Sequence, residues 1–423
     1  EVIASQRPAD APNLLRNLRL LDTSFGEVRD GYEILIEGGR FKEVSDTPIK
    51  AAGVTAIGCG GRVVMPGLID CHVHCLHSEV YMRRMEDVPL TLAAARGARR
   101  IRQMLDRGFT TVRDTGGTDW GMKTAVDQGL IPGPRLFIAG RSIGPTGGHS
   151  DGRSRTNQGY PCACCNGQAY LRLVVDGEDA VRKAVREQMR QGSDHIKIMV
   201  SGGVASPYDP LESDQFSDAE ISAAVDEAEA FGRYVCAHAY TARAIKRAVT
   251  LGVRTIEHGN LIDADAAASM AEHGAYVVAN LVAYVAMKER AAEYGMIPEM
   301  LAKNDLVLEG GFRSLEICKE AGVKVAYGSD LLGALAEDQS REFSIRCEVQ
   351  KPIEVIRSAT TIAAEVVRRP GQLGCIAPGA WADLIVVDGD PLSDITLLEK
   401  QGAHLSAIMK GGHFHKNRLR MAR

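Results

Sequence analysis

Val64-Met65-Pro66-Gly67-Leu68-Ile69-Asp70-Cys71-His72-Val73-His74 is an apolar run that ends in two histidines one residue apart. Its length and aliphatic content are those of a buried strand. Residues i and i+2 of a strand project to one side, so His72 and His74 face the same way. Two neutral imidazoles on one face can hold a single divalent ion. Alone, such a pair is a weak signal, and its meaning depends on what the rest of the chain brings to the same place.

Outward from this run the chain alternates. Apolar strands recur near 65–74, 109–115, 135–140, 195–201, 234–240, 253–258, 275–281 and 323–329. Helical periodicity occupies 92–107, 178–191, 218–231, 242–251 and 308–321. Gly108, Gly192, Gly252, Gly274 and Gly322 stand where helices stop and strands begin, as left-handed helix caps do. Eight strands over 65–329 match the roughly 250 residues of a parallel eight-stranded barrel. A doubly wound sheet would call for a glycine-rich dinucleotide turn after its first strand, and none follows. The two ends read differently. Strand-like stretches at 14–21, 32–37 and 40–44, then at 383–388 and 406–410, alternate with Gly and Pro turns. The expected fold is α/β, a (β/α)8 TIM barrel over 65–376 with a small β-sandwich domain built from both termini, 1–64 and 377–423.

Barrel chemistry gathers at the C-terminal ends of the strands. There the chain repeats one kind of residue. The fifth strand ends Cys236-Ala237-His238-Ala239-Tyr240, the sixth Thr255-Ile256-Glu257-His258-Gly259, and the eighth Ala326-Tyr327-Gly328-Ser329-Asp330. With His72 and His74, these strands deliver His238, His258 and Asp330 to equivalent places, as a metal centre requires. In the fourth strand, Lys197 lies between Ile196 and Ile198. If the isoleucines face the helices, Lys197 faces the barrel axis. A bare ammonium buried beside cations is costly. Loss of its proton, or conversion to a carbamate with CO2, would relieve the cost. The carbamate is an anion whose two oxygens can bridge two ions.

The chain has 423 residues, 45% apolar and 25% charged, with net charge −4. That balance points to no nucleic-acid or membrane partner. No apolar run reaches the roughly 18 residues that span a bilayer. Most of the ten cysteines stand singly in apolar stretches, which favours free thiols and a cytoplasmic setting. An export signal ahead of Glu1 would instead place the protein outside. Cys162, Cys164 and Cys165 have no second matching pair and read as a loop feature.

These motifs resemble those of the amidohydrolase superfamily. Within it they are similar to the branch of imidazolonepropionase-like enzymes, prolidases, related carboxypeptidases and ochratoxinase-like amidases. The resemblance runs from residue 64 through His195-Ile196-Lys197-Ile198-Met199 and the strand ends above to Ala382-Asp383-Leu384-Ile385-Val386. It implies two divalent ions, usually Zn2+. His72, His74 and Asp330 would hold one, His238 and His258 the other, and a CO2-derived carbamate on Lys197 would bridge them. It implies that Asp330 is the catalytic general base. It also implies that His149, in Gly147-Gly148-His149-Ser150, and Tyr240 meet the substrate's free carboxylate. The expected substrate is a small-molecule amide, namely a dipeptide of the Xaa-Pro kind or an N-acyl amino acid, ochratoxin-type aryl amides included. Cyclic amides are the alternative, and a non-catalytic scaffold the remote one. Homo-oligomers are implied as well. The loop 201–208 is expected to close over the site, its glycines permitting close backbone approach.

Overall fold

The computed structural model describes residues 12–153, 155–156, 170–206 and 208–421. Cys162, Cys164 and Cys165 lie outside them. The seven described cysteines are free thiols.

The eight barrel strands are Leu68–Val73, Phe109–Asp114, Arg135–Ile138, Ile196–Met199, Val235–Thr241, Thr255–Leu261, Tyr276–Ala279 and Val325–Tyr327. Neighbours pair in parallel, with Leu68 opposite Phe109, Thr111 opposite Arg135, Lys197 opposite Cys236, Ile256 opposite Val277 and Val278 opposite Ala326. The third strand breaks after Ile138 and resumes as Ser142–Gly144, which pairs with the fourth through Ile143 and Ile198. The ring closes where the Asp330 amide donates to the His72 carbonyl at 2.8 Å.

Local signals set the connections. Ser217 and Glu220 form a capping box that starts the helix Asp218–Ala230, and Thr241 and Asp263 cap the helices that follow the fifth and sixth strands. The five glycines expected at helix ends all have φ between 60° and 95°. Ile196 and Ile198 pack against Val181, Val185 and Ile221 of the surrounding helices. Lys197, between them, is left facing the barrel interior.

One expected strand divides. Thr55–Pro66 belongs to the terminal sheet, where Val64 and Met65 pair with Val386 and Ile385, and the barrel begins at Leu68. Gly67 makes the crossing, because a Cβ there would lie 2.2 Å from the Thr110 Oγ1. The terminal strands form one eight-stranded sheet drawn from both ends of the chain. It curls until Leu15, Ile34 and Phe41 of one half share a core with Ala382, Leu384 and Met409 of the other. Alternate residues Ile385 and Val387 turn the other way and pack with Leu68, Phe109 and Ile101 of the barrel. The period of two in a strand thus joins the domains.

Candidate active site

All eight residues singled out above line one cavity at the C-terminal mouth of the barrel: His72, His74, His149, Lys197, His238, Tyr240, His258 and Asp330. Asp330 Oδ1 lies 3.3 Å from His72 Nε2 and 3.1 Å from His74 Nε2. Its Oδ2 lies 3.8 Å from His258 Nδ1. His72, His258 and Asp330 bring ligand atoms within 4.8 Å of one another. The rings of His238 and His258 are 4.5 Å apart.

Hydrogen bonds on the far side of the imidazoles decide where their protons sit. His72 Nδ1 is 2.8 Å from Glu257 Oε2. His74 Nδ1 is 2.9 Å from the Gly116 carbonyl, and His238 Nε2 is 3.0 Å from the Gly202 carbonyl. Carbonyl and carboxylate oxygens accept, so those nitrogens carry the protons and the opposite nitrogens are lone pairs. Two of these lone pairs, on His72 and His74, are aimed at a carboxylate oxygen. Such a set repels itself unless a cation lies among its members, and nitrogen with carboxylate oxygen is a donor set for a divalent metal. The residues present therefore fit a metal.

Glu257 is the hub behind the ligands. Burial would raise its pKa, but Arg113, whose Nη2 is 2.6 Å away, and His72 hold it well below the carboxylate range. Burial pulls the Lys197 pKa down, and among the described residues no carboxylate lies within ion-pairing distance of its Nζ. Asp70 ties the first strand to the eighth, accepting from the Ser329 hydroxyl at 2.6 Å and from Gln339 at 2.8 Å. His258 and Asp330 both have positive φ, 79° and 50°. The left-handed backbone at His258 lets its ring line the cavity while the neighbouring Glu257 bonds His72 and Arg113 behind it.

The loop after the fourth strand covers this cluster, with Val204, Ala205 and Ser206 lining the cavity. His149 stacks on His238 at 4.4 Å and bonds Ser206 Oγ at 2.7 Å. A Cβ on Gly203 would fall 2.1 Å from the His149 ring. Lys303 pins the loop by donating to the carbonyls of Gly203, Ser206 and Asp209 at 3.1, 2.9 and 2.6 Å. Tyr240 stacks on His258, and its hydroxyl meets that of Tyr284 at 2.9 Å, which in turn reaches His258 Nδ1 at 3.0 Å.

Sequence reasoning passed over Glu257, Arg113, Asp70, Tyr284 and Lys303. Asp70 carried a signal, since it shares a strand face with His72 and His74. Charged residues inside buried strands, such as Arg113 and Glu257, are a signal too, because they persist only when paired. Lys303 and Tyr284 carried none that periodicity could reveal.

An amidohydrolase-family model matches residues 63–412. The ochratoxinase of Aspergillus niger is 30% identical over 372 residues, 84% of this chain and 76% of that protein. A prolidase crystallised with N-methylphosphonate-L-proline is 50% identical with a TM-score of 0.93, covering 96% of this chain and 100% of its own. A Xaa-Pro dipeptidase crystallised with methionine in its active site is 28% identical with a TM-score of 0.84, again over 96% of this chain and 100% of its own.

Proposed function

The chain belongs to the amidohydrolase family and is a hydrolase of amide bonds, and from that premise we propose that it cleaves the bond between an acyl group and the nitrogen of a C-terminal amino acid. The substrate is then a dipeptide of the Xaa-Pro kind or an N-acyl amino acid, bulky aryl amides included. One observation carries the reading: six side chains able to ligate metal line the same cavity as Tyr240 and His149. The similarity to a prolidase, a Xaa-Pro dipeptidase and an ochratoxinase supports the same class.

In this reading His72, His74 and Asp330 would hold one divalent ion and His238 and His258 a second, with Lys197 as a carbamate supplying the remaining anionic ligand. Zinc suits the nitrogen and oxygen donors. When bound, two such ions supply water acidic enough to attack near neutral pH and polarise the scissile carbonyl.

The protein's own groups do the rest. Glu257 and the carbonyls of Gly116 and Gly202 hold the imidazoles in the ligating tautomer. Asp330 takes the proton of the attacking water and passes it to the leaving nitrogen. The carbon–oxygen bond forms, the carbon–nitrogen bond breaks, and a carboxylic acid and a free amino acid are released. Tyr240 and His149 hold the substrate beyond the reacting bond. Met287, Met296 and Met300 give the cavity an apolar wall suited to the leaving side chain.

The test is release of a free amino acid from a panel of Xaa-Pro dipeptides and N-acyl amino acids. Release from one class identifies the leaving residue. Opening of a cyclic amide to a single product, with no amino acid released from the panel, would replace this reading with cyclic-amide hydrolysis.

A further inference from the structure

One charge in the cavity is left over. Arg172 opens the short strand Arg172–Val174, which adds to the rim of the barrel opposite Ser142–Gly144. Its side chain lines the same cavity as the ligand cluster. Among the described residues it has no hydrogen bond and no ion pair. The acids whose charge it feels are Asp209, Asp151 and Glu86, and these are engaged elsewhere. Asp151 accepts from Arg153 at 2.7 and 2.5 Å and from the Gly147 amide at 2.9 Å. Asp209 accepts from the Gly203 amide at 2.9 Å and lies 3.4 Å from His149 Nδ1. Glu86 has partners of its own. Burial lowers the Arg172 pKa only to about 10, so the guanidinium is charged at neutral pH.

A second observation points to the same corner. His77 lines the cavity too, is 5% exposed, and its Nδ1 has no hydrogen-bond partner among the described residues. Both His77 and Leu171, the neighbour of Arg172, press on Gly117, where a Cβ would meet them at 3.0 and 2.8 Å. The unpaired His77 Nδ1 lies against Gly117, and its ring packs on His74 at 4.5 Å, so the imidazole walls this corner while the guanidinium fork, without an ion-pair partner among the described residues, is the donor that suits a carboxylate. Their place matters as much. His77 follows the first strand and Arg172 adjoins the third, whereas Tyr240 and Tyr284 stand at the fifth and seventh. In strand order Arg172 stands apart from Tyr240 and Tyr284, although His149 follows the strand that pairs with its own.

We propose that Arg172 forms an anion-binding acyl subsite, walled by His77, so that the acyl half of the preferred substrate carries a carboxylate of its own. This rests on the proposed cleavage of acyl amino acids. A substrate whose amino-acid carboxylate lies near Tyr240 spans the ligand cluster and brings its acyl group to Arg172. The class is a dipeptide with an acidic first residue or an amino acid acylated by a dicarboxylic acid.

The experiment compares N-succinyl and N-butyryl derivatives of one amino acid, which differ by a charge at similar size. The wild type is expected to prefer the succinyl compound at least tenfold in kcat/KM. Arg172→Met is expected to cut that preference at least tenfold, and Arg172→Lys to keep part of it. A wild-type ratio near one overturns the subsite. So does an equal loss on both compounds in Arg172→Met, which would assign the guanidinium to the shared amino-acid carboxylate. Thermal melts of both variants establish that they fold. If the wild type cleaves no acyl amino acid, the cleavage reading fails, and calorimetric titration with succinate and butyrate judges the subsite by itself. Succinate binding to the wild type but not to Arg172→Met upholds it, and equal binding or none overturns it.

Discussion

At the scale of single residues, the site is built from polar groups that would be unfavourable alone and are acceptable together. Asp330 is the clearest case. Its carboxylate touches three imidazoles, so its replacement by an isosteric amide preserves shape while removing the base. Asp330→Asn is expected to lower kcat by about 10²–10⁴-fold, with metal analysis still finding ions bound. Turnover close to wild type would contradict the general-base role. Glu257→Gln leaves one acceptor oxygen where His72 and Arg113 now use two, and it removes the negative charge that pairs with the buried Arg113 guanidinium. Denaturant titration is expected to show a loss of about 3–5 kcal/mol, alongside metal affinity weaker by about 10–100-fold. A stability within error of wild type would mean that the pair is not the hub described. Tyr240→Phe and His149→Ala are expected to raise KM for acyl amino acids, and unchanged kinetics in both would remove the substrate role given to them. The candidate ligands could be picked out because they interrupt apolar strands, five of them at the strand ends and Lys197 inside its strand. The Arg113–Glu257 pair was not, since its two halves are 144 positions apart and each alone looks like an exception to a buried strand.

At the scale of elements, the strand–helix rhythm was readable because period and punctuation agree: aliphatic runs, helical spacing, and a glycine at each turn back into the barrel. The reading failed where one apolar run serves two layers. Residues 64–74 looked like one strand, yet the chain changes sheets at Gly67, and only the bulk of Thr110 says so. The helix expected from residue 308 begins at Pro298, and its early turns carry Met300 to the cavity and Lys303 to the covering loop. Periodicity could not reveal this, because those contacts join segments about 100 residues apart. Lys303 gives the loop a measurable handle. Lys303→Met is expected to release the carbonyls of Gly203, Ser206 and Asp209, to speed protease cleavage within 201–209, and to raise KM more than it lowers kcat. Protease resistance equal to wild type would show that the loop holds itself. Gly203→Ala should do comparable damage from the other side, by driving a methyl group into His149.

At the scale of the molecule, the barrel and the terminal sheet share strands that bury alternate faces in two cores, Leu384 and Val386 in one, Ile385 and Val387 in the other. The sheet therefore braces the bottom of the barrel while the mouth remains free for chemistry. Among the described residues no helix is long and apolar enough to cross a membrane. His72 and His74 converge on Asp330, and the proposed metal centre would exist in the native state alone. Dialysis against a chelator is therefore expected to lower the melting temperature, and free metal at one hundred times its dissociation constant to return about 2.7 kcal/mol. The central claim is that six side chains from the first, fourth, fifth, sixth and eighth strands and their ends form one metal centre. Elemental analysis of protein purified without chelators, then reconstituted with zinc and bicarbonate, tests it most directly. The account predicts about two ions per chain, falling below one in Lys197→Ala. Less than one ion in the reconstituted wild type would contradict it.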